Sequence, residues 1–154
     1  MNDDDFEVFV ARIQNEAIQE AKTALGEKGF ERWRNPKFCG EMADPDCYGR
    51  IKGVCGDTIE MFVKLEGGKI AAASYRTDGC GSSSVACSFA AELAHGRFAE
   101  EVFDLTGGDV LAAIGNFPKA EEHCAYLAVS ALQDAINNFL INQTRKTEEN
   151  STAS

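Results

Sequence analysis

"GVCGDTIEMFVKLEGGKIAAASYRTDGCGSSS", residues 53–84, holds the pattern that decides the fold. In its first half Ile59, Met61, Val63 and Leu65 alternate with Thr58, Glu60, Phe62 and Lys64, the period of a strand with one face toward a core. Gly67-Gly68 supplies the two positive-φ positions of a tight hairpin turn, and "KIAAASYRT" returns as the partner strand. A two-residue turn fixes register. With the turn at Gly67-Gly68, Leu65 should face Ile70, Val63 should face Ala72 and, carried outward, Asp57 faces Asp78 and Cys55 faces Cys80. Directly opposed Cβ atoms lie about 4.5–5.5 Å apart, which suits two sulfurs sharing a metal. Gly53, Gly56 and Gly79 invite a bulge on the way, yet both thiols should emerge at the open end of the hairpin.

Working outward, "SSSVACSFAAELAHG" begins with helix-capping residues and ends at Gly96, a C-cap residue. Cys80 therefore stands just before a helix, whose N-terminal dipole and free N–H groups favour a thiolate or an adjacent anion. Gly79 and Gly81 leave the backbone bare on either side of it, room for a bulky group. Short helices are expected around 98–104 and 108–114. A longer helix should run from about Ala120 to Gln143 with Ala125, Ala128, Val129, Leu132, Ile136, Phe139 and Leu140 toward the core. Upstream, Phe6, Phe9, Val10, Ile13, Ala17, Ala21 and Ala24 mark an amphipathic helix over 6–25 that should pack on the core. "NPKFCGEMADPDCYG" reads as irregular chain, with a short strand near 48–53. The sum is one α+β domain over residues 1–143, a small antiparallel sheet of about three strands covered by helices. Residues 144–154 form a polar tail expected to lack structure.

The chain has 154 residues and 44% hydrophobic content, enough for a single core. Twenty-five acidic residues against 15 basic ones give a net charge of -10. With no cluster of Lys and Arg, that argues against nucleic acid as a partner. No apolar run is long enough for a membrane span. The first residues are acidic where a secretory signal would be basic, so a cytoplasmic protein with reduced thiols is expected. Six cysteines in that setting suggest metal or redox chemistry, some of them serving as small buried hydrophobes. His123 and Cys124 are neighbours on a helix's first turn and project about 100° apart. Both reach one site only if it lies over the helix end. The cysteine spacings are too long for a zinc finger.

Taken together, "GVCGDTIEMFVKLEGGKI", "YRTDGCGSS" and "EEHCAYLAVSALQDAI" resemble the IscU/NifU N-terminal family of iron–sulfur cluster assembly scaffolds. The resemblance runs from Asn35-Pro36 to about residue 140. It implies an IscU/SufE-like architecture and places the cluster ligands on Cys55, Cys80 and Cys124, the family's aspartate on Asp57 and its histidine on His123. The implied cargo is a transient [2Fe–2S] cluster built from Fe²⁺ and sulfur. Three thiolates leave one position for Asp57 or His123, an incomplete set that suits a protein which must give its cluster up. The implied partners are a cysteine desulfurase, whose persulfide sulfur Cys124 or Cys80 would accept as exposed thiolates, and apo-proteins that receive the cluster. The protein would then be a scaffold and sulfur carrier, not a turnover enzyme.

The alternative implied by the same fold is a SufU-type sulfurtransferase holding Zn²⁺ at these positions. Such relatives carry an insertion between the second and third cysteines, and here that interval has the shorter, IscU-like length. Zn²⁺ also suits the same ligand set in a purified scaffold. Phe117, Pro118, Lys119, Ala120 and Glu121 stand where many bacterial scaffolds carry Leu-Pro-Pro-Val-Lys, so a dedicated Hsp70 partner is doubtful. Cys39 falls where relatives have a small apolar residue and is expected to be buried. Cys87 reads as packing, Cys47 as a loop thiol of open role, and His95 as a residue near a helix end.

Overall fold

The computed structural model describes residues 2–152, with side chains described through residue 150. Three strands, β1 (Cys47–Lys52), β2 (Thr58–Glu66) and β3 (Lys69–Thr77), form an antiparallel sheet in that order. Four helices accompany it: α1 (Asp3–Arg34), α2 (Gly81–Ala94), α3 (Gly107–Ile114) and α4 (His123–Thr152). Short 3-10 turns lie at Ala99–Asp104 and Lys119–Glu121. The second of these occupies the place where α4 was expected to begin. The architecture is the expected α+β domain. Ile59, Met61, Val63 and Tyr75 from the sheet meet Val85 and Phe89 of α2 and Ala128, Leu132 and Ile136 of α4 in one core.

The hairpin turn is as expected, with Gly67 at φ +62 and Gly68 at φ +80. Its register is not. Leu65 faces Ile70, but the next pair is Lys64 with Ala72, so Ala71 is bulged out and Val63 faces Ala73. The reason lies in parity. Ile70 and Tyr75 are both 1% exposed, yet their numbers differ by an odd count, so an unbroken ladder would point one of them outward. It would also turn Arg76 inward. One inserted residue settles both sides. The ladder then ends at Ile59 with Thr77, and Cys55 and Cys80 are not opposed within it.

α4 lies directly on β1. A Cβ on Gly49 would come 2.4 Å from the Ala135 nitrogen and 2.5 Å from the Ala131 oxygen, so only glycine permits this approach. Ala128, Ala131 and Ala135 are fully buried along the same contact. The Asp134 carboxylate accepts from the Arg50 amide at 3.0 Å, and the Asn138 amide donates to the Tyr48 carbonyl at 3.1 Å. These bonds fix the helix along the strand edge.

α1 departs from expectation. Its helix is broken at Gly26 (φ 70, ψ -176), where Asn116 Nδ2 donates to the Thr23 and Ala24 carbonyls. Leu25 just before the break, and Gly29 and Arg32 beyond it, are buried. Arg32 donates to Ser88 and Glu92, with its guanidinium 4.1 Å from the Phe89 ring centroid. Before the break the apolar stripe does not reach the core: Phe6 is 58% exposed, Phe9 44% and Ile13 48%. α2 and α4 already cover the inner face of the sheet, which leaves that stripe nothing to bury. The stretch from residue 144, expected as a tail without structure, continues α4 to Thr152. Helix-forming Arg, Lys and Glu fill it, and Thr144 and Thr147 hydroxyls bond back to the Leu140 and Gln143 carbonyls.

Two cysteines are also relocated. Cys39, expected to be buried, is exposed, because it lies on an outer segment paired with Tyr75 of β3. Cys47 belongs to β1, not to the preceding loop. Burial, then the nearby Asp46 carboxylate, push its thiol up to about 12. It sits at the opposite end of β1 from Cys55, which removes it from the site. Cys87 is buried as expected, and His95 caps α2 at the surface. Among the described residues no helix is long and apolar enough to cross a membrane.

The close approach of α4 is testable. Gly49→Ala should cost about 3 kcal/mol or more, because the new methyl meets backbone that cannot rotate away. Gly56→Ala should cost only about 1 kcal/mol: its φ is +94, but nothing lies within 4 Å of the added carbon. Urea denaturation of both variants measures the difference.

Candidate functional site

Three segments converge where β1 ends and α2 begins: the loop Gly53 to Asp57, the link Asp78 to Gly81, and the first turn of α4. The loop is closed by the Gly53 amide donating to the Asp57 carbonyl at 2.9 Å and the Gly56 amide donating to the Gly53 carbonyl at 3.0 Å. The link is held by Asp78, whose carboxylate accepts from the Thr58 amide at 2.7 Å. The Thr77 hydroxyl accepts from the Gly79 amide at 3.1 Å.

The glycines beside Cys80 also let neighbouring side chains approach closely. A Cβ on Gly79 would stand 2.7 Å from Ser83 Oγ and 2.8 Å from Asp57 Oδ2, and one on Gly81 would stand 2.6 Å from Trp33 Nε1. The space directly over these two glycines is filled by protein. Its emptiness of Cβ atoms lets Asp57, Ser83 and Trp33 close in around Cys80, which caps α2 in extended conformation (φ -71, ψ 179).

Ser83 is the centre that the sequence reading missed. Its hydroxyl donates to Asp57 Oδ2 at 3.2 Å, lies 3.3 Å from Cys124 Sγ and 3.9 Å from Cys80 Sγ. The signal was present, since a serine three residues into a helix projects back over the residue that caps it. The structure thus brings Asp57, Cys80 and Cys124 together around one buried hydroxyl. His123 joins at the rim, exposed, with Nε2 3.8 Å from Cys124 Sγ. Cys55 is exposed on the neighbouring loop and is not drawn into this cluster. That loop runs beside α4, with Leu127 Cδ1 2.6 Å from where a Gly53 Cβ would sit. Among the described residues no group of three or more His, Cys, Asp or Glu side chains is already gathered tightly enough to hold a metal ion.

The thiols differ in accessibility. Cys80 is exposed, whereas Cys124, expected to be an exposed thiolate, is 1% exposed. Burial raises the Cys124 thiol above its ordinary range, and the nearby Cys80, Glu121 and Asp57 groups push the same way. The Ser83 hydroxyl pulls it down by bonding to the sulfur. Glu121 itself accepts a short hydrogen bond from the Ser82 hydroxyl, tying the turn before α4 to the start of α2.

Residues 24–146 match the family model of the NifU-like N-terminal domain. This chain belongs to that family. It is 33% identical over 114 residues to the iron–sulfur cluster assembly scaffold protein IscU 1 of Archaeoglobus fulgidus, covering 73% of this chain and 74% of the relative. It is 30% identical over 141 residues to the iron–sulfur cluster assembly enzyme IscU of Drosophila melanogaster, covering 88% and 91%. In fold it resembles the N-terminal NifU-like protein of Brucella abortus, with a TM-score of 0.61 at 19% identity over 77% of this chain and 95% of that one. A protein of Fervidobacterium islandicum assigned as a SUF-system scaffold gives a TM-score of 0.62 at 19% identity, over 75% and 98%.

The Ser83 hydrogen bond makes a prediction for the metal-free protein. Cys124 stays a thiol until the pH rises past its raised pKa, so its alkylation should lag that of Cys80 and climb with pH. Ser83→Ala removes the group that stabilises the thiolate and should slow Cys124 alkylation about five-fold at fixed pH, the worth of one ordinary hydrogen bond. Peptide-resolved alkylation rates across pH 7 to about 10 test this. An unchanged Cys124 profile would remove Ser83 from that role.

Proposed function

We propose that this chain is a scaffold on which a [2Fe–2S] cluster is assembled and from which it is passed to apo-proteins. The observation that carries this reading is the convergence of Asp57, Cys80 and Cys124 on Ser83, with Cys55 on an adjoining exposed loop and His123 at the rim. Membership of the NifU-like N-terminal family and relatives named as IscU scaffolds point the same way.

In this reading Cys55, Cys80 and Cys124 supply the thiolates, and a carboxylate or imidazole from Asp57 or His123 completes the set. Thiolates hold iron as soft, charge-donating ligands, and the harder carboxylate exchanges more readily. Asp57 is suited to keep the cargo removable. Cys80 is the natural first acceptor of persulfide sulfur from a cysteine desulfurase, because it is exposed and stands at a helix N-terminus that favours anionic sulfur. Cys124, buried in the metal-free form, follows once the site opens. No group in this scheme turns over a substrate; the chain carries and transfers. The segment from Phe117 to Glu121 is anchored at both ends, with Phe117 buried and Glu121 bonded to Ser82, which disfavours its capture as a free peptide by a dedicated Hsp70.

Anaerobic reconstitution with Fe²⁺, cysteine and a desulfurase, followed by absorption and Mössbauer spectroscopy, tests the reading. The wild type should develop a [2Fe–2S] chromophore. Cys55→Ala, Cys80→Ala and Cys124→Ala should each abolish it, and Cys87→Ala should retain it. Asp57→Ala should slow delivery to an apo-ferredoxin more than it slows assembly. Stable Zn²⁺ without a chromophore, combined with sulfur transfer, would instead establish the zinc-dependent relay.

A further inference from the structure

Cys39 is an exposed thiol that the proposed cluster site does not use. Its segment is bound to the edge of β3: the Gly40 amide donates to the Tyr75 carbonyl at 2.8 Å, and the Tyr75 amide donates to the Phe38 carbonyl at 2.9 Å. The backbone on both sides is in the left-handed region, Phe38 at φ 66 and Gly40 at φ 125. A non-glycine residue held there by two strand bonds is strained, and such strain gathers where a side chain must be presented. Residues paired across strands share a face, so Cys39 is on the side of Tyr75, whose hydroxyl is 2.7 Å from Ser84 Oγ on the first turn of α2.

The space between these elements is a cavity of about 300 Å³ walled by Trp33, Cys39, Tyr75, Arg76, Gly79 and Cys80 among others. Cys55, Cys87 and Cys124 are not part of its wall. Two exposed thiols therefore line one open cavity. A persulfide on Cys80 extends the reach of its outer sulfur about 2 Å beyond Sγ, at a cavity that both thiols line.

We propose that Cys39 is a second sulfur-holding thiol, taking the outer sulfur of a Cys80 persulfide across this cavity. The step rests on the scaffold reading for its biological sulfur source. The Cys39 sulfur attacks the outer sulfur of the Cys80 persulfide; a Cys39 sulfur–sulfur bond forms as the Cys80 sulfur–sulfur bond breaks. Cys80 leaves as thiolate and takes up the proton that Cys39 gives away. No oxidant or reductant is needed, since one persulfide replaces another. Cys80 is thereby freed to receive a second sulfur, and a [2Fe–2S] unit requires two.

The test uses the full-length metal-free chain with one equivalent of inorganic polysulfide, which gives up one sulfur to Cys80 and shortens accordingly. Anaerobic samples are quenched over time with an alkylating agent and mapped by mass spectrometry. In the wild type the persulfide on the Cys80 peptide should fall as that on the Cys39 peptide rises. In Cys80→Ser, loading of Cys39 should slow at least about ten-fold, because the nearby donor is gone. In Cys39→Ser, the Cys80 persulfide should persist. Loading of Cys39 at the wild-type rate in Cys80→Ser would overturn the proposal, as would an unmodified Cys39 in the wild type or a Cys39–Cys80 disulfide with released sulfide. Cluster reconstitution separates the two readings: a chromophore with no sulfur on Cys39 sinks this proposal alone, and sulfur transfer with no chromophore sinks the scaffold alone.

Discussion

The approach of α4 to β1 is the contact on which the rest of the molecule depends. Backbone meets backbone at Gly49, so the helix cannot shift along or away from the strand without opening a gap the length of its alanine face. Because α4 is held so closely, its first turn is delivered to a fixed place above the loop Gly53 to Asp57. Leu127 then presses onto Gly53 and sets that loop's course. The position of Cys124 is thus decided by a glycine three strand pairs from the turn that carries Cys55. Packing and chemistry are not separate assignments along this helix: one face supplies Ala128, Leu132 and Ile136 to the core, and its end supplies the thiol.

The second constraint is the sharing of Ser83 by three groups that would otherwise repel or compete. Cys80, Cys124 and Asp57 all gain negative character on ionising, and a buried hydroxyl can donate to only one of them at a time. It donates to the carboxylate here. A thiolate formed at Cys124 would call that proton toward itself and release Asp57. The arrangement couples deprotonation of a sulfur to the freedom of the carboxylate, so the groups become available together.

Much of this was readable from the sequence, and the misreadings have physical causes. Alternation over residues 58–65 and the Gly-Gly turn located the hairpin. The bulge was legible too, since Ile70 and Tyr75 cannot share a face in an unbroken ladder, but counting from the turn gave weight only to glycines as sites of irregularity. Ala71 carries it without one. The N-terminal stripe showed helical period correctly and misled about its partner, because periodicity reports an apolar face and not what covers it. Asp57, Cys80 and Cys124 were found through their motifs. Ser83 was not, because a serine in a run of three reads as helix capping, and only the fold shows which hydroxyl turns inward. The burial of Cys124 likewise depends on how deeply α4 is set, a tertiary quantity with no local signature.

The break at Gly26 divides α1 into two helices with different fates. The part from Leu25 to Arg34 is tied down by Arg32 and belongs to the cooperative unit. The part before it is tied to the body at its end, by Asn116 on the Thr23 and Ala24 carbonyls, and otherwise rests on its own hydrogen bonds, the Asn2 side chain on the Asp5 amide and favourable acidic residues at its start. Most helical stability in proteins comes from tertiary packing, of which this arm has little. On warming, far-ultraviolet ellipticity should therefore decline along a shallow slope while this arm frays, ahead of any change around Trp33 and Tyr75. The near-ultraviolet signal of those rings should then vanish in a single steep step. Trypsin should clip the arm at Arg12 or Lys22 well before it cuts the body, and the trimmed protein should melt at the same midpoint.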